Sequence, residues 1–170
     1  MTTRWTPVYV ALGSNLADPL SQVKTAIDRL RACEGFQSVI ASTAVESAPV
    51  GFVDQPKFIN AVVGFLTRHS LTECHNLLKS IETQMGKIPP TERFGPRVID
   101  LDVLLFGSVT SDDPSLLLPH PRLHERVFVL YPLSTIAPSV RVRDGRSVTE
   151  WLAGLPASDW EGFADLGVSL

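Results

Sequence analysis

The chain has 170 residues, 44% of them hydrophobic and 19% charged, which excludes a disordered or fibrous protein and suits one domain spanning 1–170 with its own core. Fifteen Lys and Arg against eighteen Asp and Glu leave a net charge of −3, a poor footprint for a nucleic-acid partner. No apolar run approaches the ~20 residues of a membrane helix and the N-terminal stretch lacks signal-peptide form, so a cytoplasmic protein without a membrane partner is expected.

Val8 to Leu12 is an apolar run stopped by Gly13-Ser14-Asn15, the form of a buried first strand. Asp18 as N-cap, Pro19 at the first helical position and Leu20, Val23, Ile27 and Leu30 at helical spacing predict a helix that ends by Gly35. Val39, Ala41, Thr43 and Val45 alternate with other residues and predict one strand; Phe58 to Thr67 predicts another. Glu46 to Lys57 between them reads as a loop. Ser70 and Glu73 form a capping box for a second helix with the stripe Leu71, Cys74, Leu77, Leu78, Ile81 and Met85, closed by Gly86. Gly86 to Pro96, rich in Gly and Pro, reads as a mobile loop.

Val98 to Phe106 predicts a strand of β-branched and large apolar residues interrupted by two acids. Leu116 to Leu118 predicts a short strand ending at Pro119, and Arg122 to Ile136 a helix kinked or broken at Pro132. The tail from Val140 reads as a strand, a turn at Asp144-Gly145 and a short helix capped by Ser147 and Glu150, with Trp151 and Leu152 docking it on the core. Cys33 and Cys74 form no C-x-x-C pair and are expected as buried thiols. The order β-α-β-β-α-β plus an extension is the split βαβ, or ferredoxin-like, pattern: α+β, a mainly antiparallel sheet, helices on one face. That fold hosts enzymes and binding modules alike.

The strongest chemical anomaly is Asp100-Leu101-Asp102 in an otherwise apolar strand. A period of two puts both carboxylates on one face, with roughly 6–7 Å between their Cα atoms. Such a pair is costly to bury unless a cation joins it, and carboxylate plus phosphate oxygens is how Mg²⁺ is usually held. A wet sheet face, or pairing with Arg93 and Arg97 just upstream, would also satisfy the acids. Arg97 suits bidentate phosphate contact. There is no P-loop. His120, fixed between Pro119 and Pro121, is either a donor to a phosphate oxygen or a structural histidine. Phe58 and Asn60 share a strand face and make either a receptor for a flat polar heterocycle or a core Phe beside a turn-capping Asn.

The stretches 10–16 (Val10 to Leu16), 54–61 (Asp54 to Ala61), 93–107 (Arg93 to Gly107) and 118–121 (Leu118 to Pro121) occur in order and closely resemble hydroxymethyl-dihydropterin pyrophosphokinases of folate synthesis. The block from Arg93 to Asp102 is highly specific for that family. The resemblance implies a three-layer α/β/α sandwich on the ferredoxin-like plan. It also implies an enzyme that moves pyrophosphate from ATP to 6-hydroxymethyl-7,8-dihydropterin and releases AMP. It assigns Asp100 and Asp102 to two Mg²⁺ ions and Arg97 to the phosphates, these three being the catalytic set. Glu82, Lys87, Val103 through its backbone, His120 and Arg126 fall where the family contacts ATP. Phe58 and Phe128 match the aromatic pair around the pterin, Ser47, Ala48, Val50 and Asn60 the groups along its polar edge, and Phe94 a loop aromatic that closes the site. Phe58 and Phe94 stand where relatives often carry Tyr and Trp, and Lys87 where they carry Arg, exchanging a fork for a point charge. Pro89 and Pro90 should stiffen the following loop. A monomer is expected. A regulatory module without turnover leaves the clustering of Asp100, Asp102 and Arg97 unexplained; a nuclease using the same acids conflicts with the net charge.

Overall fold

A computed structural model describes residues 3–51, 53–88 and 95–170. The elements, in chain order, are β1 (Thr6–Ser14), α1 (Pro19–Ala32), β2 (Phe36–Ala41), β3 (Ala44–Ser47), β4 (Phe58–Thr67), α2 (Leu71–Gln84), β5 (Asp100–Phe106), α3 (Val127–Ile136), α4 (Val148–Ala153) and β6 (Ala164–Val168), with 3-10 turns at Leu123–Glu125 and Ala157–Trp160. Local chemistry sets the helix ends. Pro19 opens α1 behind Asp18, whose carboxylate accepts from the Ser21 amide. Both capping boxes form: Ser70 with Glu73 on α2, and Ser147 with Glu150 on α4.

The strands form one antiparallel sheet in the order β5-β1-β4-β3-β6, with β2 also paired to β4. Taking β2 beside β4, the order β5-β1-β4-β2 is the split βαβ arrangement. The single strand expected over Val39 to Val45 is in fact two. β2 pairs with the far half of β4 and β3 with its beginning. At the junction the Ser42 amide donates to the Val62 carbonyl while the Ser42 hydroxyl accepts from the Val62 amide. A side chain thus replaces one rung of the ladder, and the chain can bend without leaving a buried donor unpaired.

Alternation along the strands divides the core in two. Val8, Val10 and Leu12 of β1, Ala61, Val63 and Phe65 of β4, and Leu101 and Val103 of β5 pack with α1 and α2 on one face. Val62, Leu104, Tyr9 and Ala11 turn to the other face, against α3 and α4. The sandwich therefore has three layers, and the helices-on-one-face arrangement read from element order alone is corrected. The extension supplies the second helical layer, with Trp151 and Leu152 packed on it as expected.

Two further expectations change. The helix read from Arg122 to Ile136 breaks at Arg126, not at Pro132, which lies inside α3. Leu116 to Leu118 makes only one isolated bridge, Leu118 with Ser111. Cys74 is buried and its thiol is pushed up to about 12 by that burial, whereas Cys33 is half-buried at the end of α1.

Candidate active site

On the α1–α2 face, β1, β4 and β5 are covered by the two helices. On the other face α3 and α4 leave the end formed by Gly13, Asn60 and Asp100 uncovered, and a cavity of about 110 Å³ opens there. Its floor follows from strand register. Gly13 stands between Asn60 of β4 and Asp100 of β5, and Ala11 between Val62 and Asp102. All point to the same face because the side-chain period is two. Small residues on the central strand leave space between the polar ends of its neighbours. A Cβ on Gly13 would come within 3.1 Å of Asn60 Oδ1 and 3.9 Å of the Phe58 ring. The cavity thus has an acidic side, Asp100 and Asp102, and an aromatic and amide side, Phe58 and Asn60, with Phe128 of α3 on the opposite wall.

Each functional group is held from behind. Asn15, just after β1, accepts from the Arg97 amide at 2.9 Å and donates through Nδ2 to Gln55 Oε1 and the Pro56 carbonyl, both at 2.9 Å. Its own amide donates to the Arg97 carbonyl at 3.1 Å. One buried amide side chain thereby ties the segment entering β4 to the segment entering β5. In the sequence Asn15 is legible as a strand stop and as part of the family-like stretch 10–16, but not as this tie.

Glu82 of α2 performs the second tie. Its carboxylate is 4% exposed, accepts from the Leu101 amide at 2.6 Å and from Lys79 Nζ at 3.1 Å through Oε1, and from Lys87 Nζ at 3.0 Å through Oε2. Lys87 also donates to Asp100 at 2.6 Å, and Arg97 pairs with the other Asp100 oxygen. Glu82 and Lys87 therefore stand behind the carboxylates, outside the cavity lining. Val103 is a core side chain on the covered face.

The two aspartates are electrostatically unequal. Burial opposes ionisation of Asp100, but the Arg97 charge and the Lys87 and Arg97 hydrogen bonds outweigh it and hold the carboxyl below its usual range. Asp102 is pushed up, first by desolvation and then by the Asp100 charge, with Lys79 opposing. Lys79 Nζ lies 3.8 Å from its carboxylate. The Asp102 side chain is 52% exposed, yet it opens into the cleft, where surrounding protein still removes much of its hydration. An acid destabilised by its neighbours is what a hard cation would relieve. Among the described residues no group of three His, Cys, Asp or Glu forms a complete protein-only metal cage. Two carboxylates, with the remaining ligands drawn from phosphate and water, suit Mg²⁺.

The remaining donors are the guanidinium groups of Arg97 and Arg126 and the imidazole of His120. Arg97 lies 6.0 Å from the Phe58 ring centroid and Arg126 5.7 Å from that of Phe128, so each guanidinium flanks one of the two aromatic plates. The Nε of Arg126 is buried with no partner among the described residues, a donor left for an acceptor that enters the cavity. His120 is depressed to about 4 by burial and by Arg126 and Arg122. Its Nδ1 accepts from the Arg122 amide at 3.2 Å, so the neutral ring carries its proton on Nε2.

This has a measurable consequence. With the folded pKa below the unfolded one, the unfolded chain takes up the proton first, so stability is lost as pH falls through the window from about 6.5 to 4. Between about pH 7.5 and pH 5 this group should cost about 2 kcal/mol, and His120→Gln should flatten the fall by that amount in urea titrations. An unchanged slope would show that His120 is no source of acid sensitivity.

Ser47, at the end of β3, accepts from Asn60 Nδ2 at 2.7 Å, and Ala48 and Val50 continue that wall. The cavity therefore collects Ser47, Ala48, Val50, Phe58, Asn60, Arg97, Asp100, Asp102, His120, Arg126 and Phe128. Phe94, Pro89 and Pro90 lie outside the described residues.

The sequence profile of the 7,8-dihydro-6-hydroxymethylpterin-pyrophosphokinase family matches residues 9–138. The chain is 42% identical over 149 residues to the 2-amino-4-hydroxy-6-hydroxymethyldihydropteridine pyrophosphokinase of Pseudomonas aeruginosa, covering 88% of this chain and 91% of that one. It is 40% identical over 159 residues to the protein of the same name from Methylorubrum extorquens, covering 92% and 98%. Among solved structures, an HPPK-DHPS of Plasmodium falciparum superposes with a TM-score of 0.71 at 13% identity, over 95% of this chain and 47% of that one, so the chain spans about half the length of that protein and shares its fold. The chain therefore belongs to the 7,8-dihydro-6-hydroxymethylpterin-pyrophosphokinases.

Proposed function

We propose that this chain transfers pyrophosphate from ATP to the hydroxymethyl group of 6-hydroxymethyl-7,8-dihydropterin, giving AMP and the pterin diphosphate in folate biosynthesis. The observation that carries the reading is one uncovered sheet face. It sets an aspartate pair on one side of the central strand and an aromatic-amide receptor on the other, with Arg97, Arg126 and His120 lining the same cavity.

The hydroxymethyl oxygen attacks the β-phosphorus, the bond from that phosphorus to the oxygen bridging to the α-phosphate breaks, AMP departs with that bond's electron pair, and the hydroxyl proton passes to water. The pterin ring lies between Phe58 and Phe128, with Asn60, Ser47 and the Ala48–Val50 stretch along its polar edge. Phe94 is assigned to closing this site. Arg97 and Arg126 meet the phosphates, and neutral His120 donates through Nε2. Lys87 adds a charge from behind Asp100. Glu82 holds β5 through Leu101, and the backbone at Val103 borders the nucleotide. Asp100 and Asp102 would hold Mg²⁺, two ions by family likeness, which when bound offset the triphosphate charge and lower the pKa of the attacking hydroxyl. Two substrates held in one cleft make the displacement effectively intramolecular. The working unit is one domain over 1–170, acting as a monomer in the cytoplasm; among the described residues no helix is long and apolar enough to cross a membrane.

The test is AMP release from ATP, Mg²⁺ and the dihydropterin, with the Asp100→Ala/Asp102→Ala variant as control. Pterin-dependent AMP that disappears in the control supports the reading. Release of ADP instead would make the reaction a γ-phosphoryl transfer and overturn it.

A further inference from the structure

The tail lies beyond residue 138, outside the stretch matched by the family profile, yet part of it stands directly behind the wall assigned to the pterin. The inference therefore rests on that assignment. β6 pairs with β3 in the register Val45↔Asp165 and Glu46↔Ala164, and so runs beside the strand that ends in Ser47. Just before β6, Gly162 reaches Ala48. It adopts φ +73°, where side chains are disfavoured, and a Cβ placed on it would lie 3.0 Å from Ala48 Cβ and 3.6 Å from the Ala48 nitrogen.

The same segment grips the opposite wall. Tyr131 of α3, three residues after Phe128, packs edge-on against Phe163 at 5.1 Å and Trp160 at 6.2 Å, and those two rings meet at 5.4 Å. The Tyr131 hydroxyl donates to Asp165 Oδ2 at 2.8 Å. The other Asp165 oxygen accepts from the Thr43 hydroxyl at 3.0 Å and the Gly167 amide at 2.9 Å. One carboxylate thus joins α3, the β2–β3 junction and the tail. Between the tail and the wall lies a second cavity of about 230 Å³, with Pro49, Val50 and Phe128 on one side and Asp159, Glu161 and Phe163 on the other. Ala48 and Val50 line both cavities, and Gly162 meets Ala48 from the tail.

We propose that the tail segment from Ala157 to Val168 is a positioning element for the dihydropterin site, and that Gly162 sets where Ala48 stands relative to Phe128. A side chain at 162 is expected to displace the Ala48 wall, whereas Arg97, Asp100, Asp102 and His120 lie on β5 and the segments on either side of it. The effect is therefore selective for one substrate.

Steady-state kinetics of the full chain test this. Gly162→Ala should raise the KM for the dihydropterin about five- to tenfold with the KM for ATP held within about twofold. In an Ala48→Gly background, where the opposing Cβ is gone, the same substitution should shift the pterin KM by less than about twofold. If Gly162→Ala does not fold, Tyr131→Phe, which removes a single hydroxyl, should raise the pterin KM about twofold without moving that for ATP. An unchanged pterin KM, or equal rises for both substrates, overturns the proposal. Asn60→Ala separates the two levels of inference. If Asn60→Ala raises the pterin KM and Gly162→Ala does not, the tail has no positioning role; if Asn60→Ala also has no effect, the pterin site itself is misassigned.

Discussion

Asp102→Asn is expected to lower turnover by about a thousandfold or more, equivalent to ~4 kcal/mol of lost transition-state stabilisation, while leaving the protein at least as stable as its parent. The two halves of this expectation have the same cause. Asp102 is the carboxylate whose ionisation is opposed by burial and by Asp100, with one lysine at 3.8 Å in partial compensation. Asparagine keeps the shape and removes the charge, so the uncomplexed fold loses a repulsion. Asp100 is different, because Lys87 and Arg97 already satisfy it. Of the pair, Asp102 is the acid on which the fold depends less. Pterin-dependent AMP release and urea unfolding of the same preparation check both halves. A variant that retains a tenth of the parent's rate, or that unfolds markedly earlier, would remove the basis for reading this site as a trade of stability for activity.

Glu82→Ala should have the opposite signature, a loss of about 3–5 kcal/mol with the activity falling as a consequence. In a chain of this length that corresponds to a midpoint lowered by about 10 °C. The carboxylate is nearly inaccessible and holds the Leu101 amide, Lys79 and Lys87 at once. Removing it leaves a buried backbone donor unpaired and two ammonium groups near one another without their shared counter-ion. Leu101 lies between Asp100 and Asp102, so its release also loosens the two acids. Glu82→Gln retains an acceptor and should recover part of the stability. If alanine at position 82 melted with the parent, Glu82 would not be the tie between α2 and β5, and a direct role toward nucleotide would be the better account of it.

Much of this was legible from local chemistry. Asp18-Pro19, the Ser70–Glu73 and Ser147–Glu150 boxes and the alternation of Phe58 to Thr67 each carry their signal within a few residues, because caps and strand faces are decided by neighbours in the chain. The same period of two made it predictable that Asp100 would share a face with Asp102, and Phe58 with Asn60. Other elements turn on features that local patterns do not contain. A hydroxyl at Ser42 substitutes for a rung of the sheet and splits one expected strand into β2 and β3. The helix before α3 breaks at Arg126 although Pro132 is the obvious breaker. β6, mostly exposed, shows little alternation and is defined by its pairing with β3.

The sequence by itself determined most of the helices and central strands, the two carboxylates on one strand face, the aromatic-amide pair on another and, through its motifs, the family. Tertiary structure alone decided that α3 and α4 cover only part of the second sheet face, so that these two faces become one cavity. It also decided which partners hold the cavity in place: Asn15 across two loops, Glu82 under β5, and Gly162 behind Ala48. Hydrogen bonds and close contacts between residues tens of positions apart depend on where the sheet brings them, and no periodicity along the chain records that.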